Sequence, residues 1–355
     1  MGAKHLLNLI GNRLHTLPLV VLYLTDGCNS RCVTCDIWRN PRRNMPVELV
    51  EQVAAEARPL GIRWAILSGG EAMQHPRWPE IAQRFRAEGV RVFLLTNGLL
   101  VRKQIDDVAN SVDELIVSLD GGTRATYAAI RGVDAFDLVV EGMRQAAERG
   151  VRVTTRTTVQ RANYREMPRI VEVARDAGAS SISFLAVDVS NPFAFGPRFT
   201  ADTTLPLVAN SGPGAPVEHG PPANALAEPD IQILTTVIED MVARFEPEFR
   251  RGLIAESPDK LRCMPDYFRG VLGQKTFPVT RCNAPHTTAV IEVDGKLRPC
   301  YFLPSWGRLD GRRLSEAVND GEAQQLRSSY RRGERPECER CVCPLYKGPR
   351  ALLRM

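Results

Sequence analysis

Hydrophobic positions in this chain fall into short runs, separated by segments whose apolar residues repeat with helical spacing. Leu19–Leu24, Trp64–Leu67, Arg91–Leu95, Glu114–Leu119, Val151–Val159 and Ser181–Val187 read as strands, rich in Val, Ile, Leu, Phe and Thr. Between them Glu48–Arg58, Trp78–Glu88, Phe136–Arg149 and Met167–Ala177 place apolar residues three and four apart, as a helix with one buried face requires. Parallel strands need a crossover between them, so the alternation predicts an α/β fold with a helix-covered parallel sheet, either open and doubly wound or closed towards a barrel. After Asn191 the alternation stops. Residues 191–229 are rich in Gly, Pro, Ala and Thr and are expected to form a long loop or lid. Helical spacing returns in Asp230–Phe245, through Ile231, Leu234, Ile238, Met241 and Phe245. From about residue 251 the chain becomes turn-rich and cysteine-bearing. The expected organisation is an N-terminal amphipathic segment over 1–18, a core domain over 19–250 and a small α+β domain over 251–355.

The 355 residues, 44% hydrophobic and 25% charged, suit a globular protein large enough to bury a core. No apolar run reaches the roughly 18 residues that span a bilayer, and no secretory pattern opens the chain, so the expected location is cytoplasmic. A net charge of +5 with only 6% aromatic residues gives no argument for nucleic acid. The basic tail (Arg327, Arg331, Arg332, Arg335, Arg340, Lys347, Arg350, Arg354) is expected to be a solvated surface. Leu6, Leu7, Ile10 and Leu14 share one helical face, which is expected to pack across the bottom of the core domain; membrane contact through that face is the minor alternative. Few residues precede the first strand, so no separate leader-peptide recognition domain is expected there.

Cysteine usage narrows the chemistry. There are nine, at 28, 32 and 35, then 263, 282, 300, 338, 341 and 343. An odd, clustered set in a chain without a secretory pattern points to metal rather than disulfides. Cys28, Cys32 and Cys35 follow the first strand directly. Three soft thiolates on one loop suit three corners of an iron–sulfur cube, leaving one iron open, whereas a closed zinc site wants four ligands.

This C-x3-C-x2-C loop resembles that of the radical S-adenosylmethionine superfamily. Further motifs fall in order: Ser68-Gly69-Gly70-Glu71 after the second strand, Thr96-Asn97-Gly98 after the third, Ser118-Leu119-Asp120-Gly121 after the fourth, then Arg131-Gly132. The resemblance implies a partial (β/α)6 barrel in which Cys28, Cys32 and Cys35 hold a 4Fe–4S cluster. Gly69, Gly70, Glu71, Asn97, Ser118 and Arg131 would then bind S-adenosylmethionine, with Glu71 on the methionine ammonium. Reductive cleavage of that cofactor would yield a 5′-deoxyadenosyl radical that abstracts hydrogen from substrate. Thr34 and Ala72 depart from the family pattern, which commonly has an aromatic residue and a proline there.

The C-terminal cysteines resemble the twitch form of the SPASM extension: Cys282, then Gly295, then Cys300, then Cys338-x-x-Cys341. A hairpin is independently expected, from Thr288–Val293 through Asp294-Gly295 to Lys296–Cys300. The resemblance implies a second, auxiliary 4Fe–4S cluster on Cys282, Cys300, Cys338 and Cys341; spacing alone leaves a zinc ribbon open. Cys343 is surplus. Cys263 is expected to be a small buried apolar residue rather than a hydrogen-atom donor. His75 and His286 adjoin motifs without the spacing of a metal site.

The expected function is hydrogen abstraction from a small polar metabolite, leading to dehydrogenation, epimerisation or decarboxylation, with an external one-electron donor such as flavodoxin or ferredoxin. The alternatives are a ribosomal peptide or a lipid as substrate, and, outside enzymes, a non-catalytic iron–sulfur or zinc binding module.

Overall fold

The computed structural model describes residues 2–189 and 224–345. Its described residues build one nine-stranded sheet. β1 (Leu19–Thr25), β2 (Trp64–Gly69), β3 (Arg91–Thr96), β4 (Glu114–Ser118), β5 (Arg152–Val159) and β6 (Ser181–Ala186) pair in chain order, each parallel to the next. A helix lies on every crossover, which is the arrangement of a partial (β/α)6 barrel. In β1, Val20, Leu22 and Leu24 are fully buried. The helix Trp78–Ala87 buries Trp78, Ile81, Ala82 and Phe85, and Met167–Asp176 buries Met167, Ile170, Val171, Val173 and Ala174. Each such large side chain contributes about 1.5–3 kcal/mol on leaving water.

The small C-terminal domain is continuous with this sheet. β7 (Thr288–Ile291) runs parallel along the other side of β1, with Leu19 opposite Thr288 and Leu22 opposite Ile291. β8 (Lys296–Arg298) returns antiparallel and β9 (Gly307–Arg308) follows it. The β7–β8 hairpin turns at Asp294-Gly295, where the Gly295 N–H donates to the Glu292 carbonyl at 2.9 Å.

Four features differ from expectation. Residues 190–223, most of the expected loop, lie outside the described residues, and its last two positions, Glu228 and Pro229, open the helix Glu228–Arg244 instead. The chain after residue 251 is not immediately turn-rich: Leu253–Ala255 hydrogen-bonds Ile182 of β6, and the helix Pro258–Val271 packs on Glu228–Arg244 and on β6. The N-terminal helix Gly2–Ile10 packs by its polar side. His5 and Asn8 are fully buried, whereas Leu7 and Ile10 are 45% and 72% exposed. Asn8 accounts for this: its amide donates to the carbonyls of Thr16 at 2.8 Å and His286 at 2.9 Å and accepts from the His15 N–H at 2.7 Å. Those bonds satisfy a buried amide and fix which side turns inward. Finally, Arg327 is fully buried rather than solvated, donating to the carbonyls of Asn12 and Val318 and lying 5.1 Å from the Trp306 ring. Lys347, Arg350 and Arg354 lie outside the described residues.

Candidate functional site

The loop that leaves the C-terminal end of β1 carries Cys28, Cys32 and Cys35, all half-buried. Its base is held against the end of β2. The Gly70 N–H donates to the Thr25 carbonyl at 2.7 Å and the Glu71 N–H to the Gly27 carbonyl at 2.8 Å. A Cβ on Gly70 would sit 2.2 Å from the Gly27 oxygen, so that close approach requires glycine. The pair therefore seats the cysteine loop. Burial pushes the Cys28 thiol up to about 11, and it also raises Cys32, against the opposing Arg131 charge.

Glu71 is fully buried at the start of the next loop. One carboxylate oxygen accepts from the Thr96 hydroxyl at 2.8 Å and the Met73 N–H at 3.1 Å; the other accepts from the Asn97 N–H at 2.7 Å. Burial raises its pKa while these donors oppose the rise. Asn97 passes the connection on, donating to the Asn29 side chain at 2.7 Å beside Cys28. Glu71 and Asn97 thus tie β2 and β3 to the cysteine loop.

Arg131 approaches from the opposite side. Its guanidinium donates to Asp120 at 2.9 Å, with both side chains largely buried. Asp120 also accepts from the Thr158 N–H at 2.7 Å, so the arginine is anchored to β4 and β5. The carbonyls of Ile130 and Arg131 accept from the N–H groups of Val33 and Arg31 in the cysteine loop. Gly132 then ends the helix Arg124–Arg131 with φ 68°, and a Cβ there would lie 2.5 Å from the Arg31 carbonyl. Ser118 ends β4 opposite Arg156 of β5.

Buried polar atoms without a hydrogen-bond partner gather around this end of the barrel: Ser30 Oγ, Arg131 Nε, Arg156 Nε and both amide atoms of Gln160. Such atoms are costly unless something else satisfies them. Ser30 and Arg131, on and against the cysteine loop, match the carboxylate and sugar hydroxyls of S-adenosylmethionine, and Arg156 and Gln160 are left for a second polar ligand. Arg156 and Gln160 escaped the sequence reading; their place on and just beyond β5 was the available signal. His75 is occupied structurally, with Nδ1 accepting from the Arg77 N–H and Nε2 against the Met45 carbonyl, each at 3.1 Å. Cys263, expected to be buried, is exposed, because it lies on the outer side of the helix Pro258–Val271.

A second cysteine site lies elsewhere. Cys282, Cys300, Cys338, Cys341 and Cys343 line one cavity with Tyr330 and Glu337. The Tyr330 hydroxyl donates to the Cys282 carbonyl. Burial pushes the thiols of Cys300 and Cys338 up to about 11 and about 12. Buried thiols that become thiolates need cationic compensation, which an iron–sulfur cluster supplies. Among the described residues no group of His, Cys, Asp or Glu is drawn together around a single metal ion. Thr288 begins β7 opposite Leu19, and its hydroxyl donates to the Pro299 carbonyl. Cys300 therefore lies level with the start of β1, whereas the first triad follows its end, roughly 20 Å of strand away.

His286, beside that cavity, predicts a pH effect. Burial, reinforced by the charges of Arg327 and Arg331, pushes its imidazole down to about 4. The unfolded chain takes up the proton near 6.5 and the native protein only near 4, so stability falls as pH is lowered between those values. From pH 6.5 to 5 the loss is about 2 kcal/mol. Urea midpoints at pH 7 and pH 5 should converge in His286→Gln relative to the parent; an identical pH dependence in both would assign the effect elsewhere.

Both regions of the chain resemble known proteins. A profile of the Radical SAM superfamily matches residues 22–174, and one of the SPASM iron-sulfur cluster-binding domain matches residues 282–342. The AdoMet-dependent heme synthase of Methanosarcina barkeri is 32% identical over 167 residues, 45% of this chain and 48% of the relative. A probable GTP 3′,8-cyclase of Saccharolobus solfataricus is 32% identical over 171 residues, 46% of this chain and 54% of the relative. The chain spans about half the length of the curated relatives it matches. Among solved structures, Streptococcus suis SuiB bound to S-adenosylmethionine superposes with a TM-score of 0.65 at 15% identity, over 98% of this chain and 79% of that one. anSMEcpe with bound AdoMet gives 0.61 at 15% identity, over 87% and 82%. At such identities the likeness is one of fold. The two matched domains imply S-adenosylmethionine and 4Fe–4S clusters as cofactors. The chain thus carries a radical SAM domain, followed towards its C-terminal end by a SPASM-type iron–sulfur domain.

Proposed function

We propose that this radical SAM enzyme abstracts a hydrogen atom from a small polar metabolite, which is then dehydrogenated, epimerised or decarboxylated. The observation that carries the reading is the set of unpartnered buried groups beyond the cysteine loop, above all Arg156 Nε, on β5 opposite the last residue of β4, and the Gln160 amide just beyond the C-terminal end of β5. That is the end of a parallel barrel where substrates bind. A side-chain amide with neither end satisfied favours a substrate rich in hydrogen-bonding groups over an apolar one. The names of the sequence relatives, a heme synthase and a GTP cyclase, also point to small molecules. A peptide is the second reading, favoured by SuiB, whose fold is similar and which has been solved bound to the precursor peptide SuiA.

In this reading Cys28, Cys32 and Cys35 would hold a 4Fe–4S cluster, and S-adenosylmethionine would bind beside it. When bound, cluster and cofactor supply the one-electron chemistry that attacks an unactivated C–H bond. The chain's own part is positioning. Gly69 and Gly70 let the loops meet, Glu71 and Asn97 fix them, and Ser118 and Arg131 face the cofactor from β4 and the following helix. Arg131 is anchored by Asp120 and offers its unpartnered Nε to an anionic group. Cys282, Cys300, Cys338 and Cys341 hold the auxiliary cluster away from the mouth, which suits electron transfer or structural support. An external donor such as flavodoxin or ferredoxin supplies the electrons.

Deuterium transfer tests this reading. Reduced, reconstituted protein with S-adenosylmethionine is mixed anaerobically with the aqueous, peptide and lipid fractions of a deuterium-grown extract. Label is expected in 5′-deoxyadenosine with the aqueous fraction. Label only with the peptide or lipid fraction would replace the substrate class, and no 5′-deoxyadenosine from cluster-loaded protein would point to a non-catalytic module.

A further inference from the structure

We propose that Cys343 is an alternative ligand of the C-terminal cluster site, able to close it in place of Cys341. The inference rests on reading that site as iron–sulfur and concerns how it is held. One cavity gathers five cysteines, but a four-iron cube takes one protein thiolate per iron, so the site holds one thiol more than it needs.

The surplus falls between two neighbours. Cys282 is fixed from outside through the Tyr330 hydroxyl on its carbonyl, and its sulfur accepts from the Ala284 N–H at 3.4 Å. Cys300 closes the base of the β7–β8 hairpin, beside the Thr288–Pro299 bond. Cys338 lies in the short helix Pro336–Glu339. Cys341 and Cys343 follow in a non-helical stretch, two residues apart, and both side chains reach the same cavity. The chain bends at Val342 and Cys343, and both sulfurs stand at the one cavity, so either is close enough to serve as its last ligand. The far end of the stretch is held, because the Asn283 N–H donates to the Leu345 carbonyl at 2.8 Å. That bond ties it back to the residue after Cys282 and keeps both sulfurs near the site.

The exchange is a ligand substitution. The incoming Cys343 thiol gives up a proton and forms an iron–sulfur bond. The Cys341–iron bond breaks, and the departing thiolate takes up a proton. No electron moves. Exchangeable closure would let the cluster survive oxidation of one ligand.

The test removes the first site so that iron reports only the second. In full-length protein carrying Cys28→Ala, Cys32→Ala and Cys35→Ala, reconstitution should leave about four iron per chain. Adding either Cys341→Ala or Cys343→Ala should keep that content and the reduced-cluster electron paramagnetic resonance signal, with the two single variants differing in g-values. The Cys341→Ala/Cys343→Ala pair should lose the cluster. If Cys341→Ala alone empties the site as fully as the pair, Cys343 is no ligand and the proposal fails. If the triad-free protein itself takes zinc or no iron, the iron–sulfur reading of the site fails first, and that outcome is distinguishable because it appears before any change at 341 or 343.

Discussion

Replacing Cys28 by alanine is expected to abolish 5′-deoxyadenosine formation under strong reductant and to lower reconstituted iron from about eight to about four per chain. The rate should fall by more than about a hundredfold, since removing even an outer partner of a metal ligand commonly costs ten to a hundredfold. Cys28 leads the loop that the ends of β2 and β3 hold in place: its sulfur accepts from the Ser30 N–H at 3.5 Å, and the Asn97 amide lies 3.8 Å from it. The auxiliary site is on the far side of β1 and should keep its iron. A Cys28→Ala protein that still made 5′-deoxyadenosine at the parent rate would show that the triad is not the reacting centre.

Glu71→Ala is expected to be the most destabilising single change in the barrel mouth. It leaves the Thr96 hydroxyl and the N–H groups of Met73 and Asn97 without their acceptor in a fully buried place. Each orphaned donor costs about 1–3 kcal/mol, and because they share one carboxylate the total is about 3–5 kcal/mol rather than the sum. The change should appear as a lower urea midpoint with an unchanged slope. A raised KM for S-adenosylmethionine with less than about 1 kcal/mol of lost stability would instead place the carboxylate on the cofactor ammonium, as the family resemblance implies. The three donors already on it favour the positioning role.

The strand and helix order of the barrel was legible because each element buries one side, and local periodicity reports that directly. Trp78, Ile81 and Phe85, or Val20, Leu22 and Leu24, need no distant partner to declare themselves. The cysteine loop was legible because three thiols at short spacing have few other uses. What escaped depends on partners remote in sequence. Asn8 turns inward because of Thr16 and the His286 carbonyl, which no helical period can show. Arg327 stands in a basic run yet is buried by carbonyls from Asn12 and Val318. Pro258 and Pro265 disguised a helix: the first starts it, and the second is tolerated within it. Gln160, just past β5, and Arg156, within it, look like ordinary polar residues until their missing partners are seen.

The pairing of β7 with β1 has a consequence for anyone who cuts the chain. Without β7 the backbone of Leu19, Val20, Val21 and Leu22 would stand as a bare apolar edge, ready to recruit a strand from another molecule. A barrel expressed alone, ending before Cys282, is therefore a template for aggregation rather than a minimal catalytic unit.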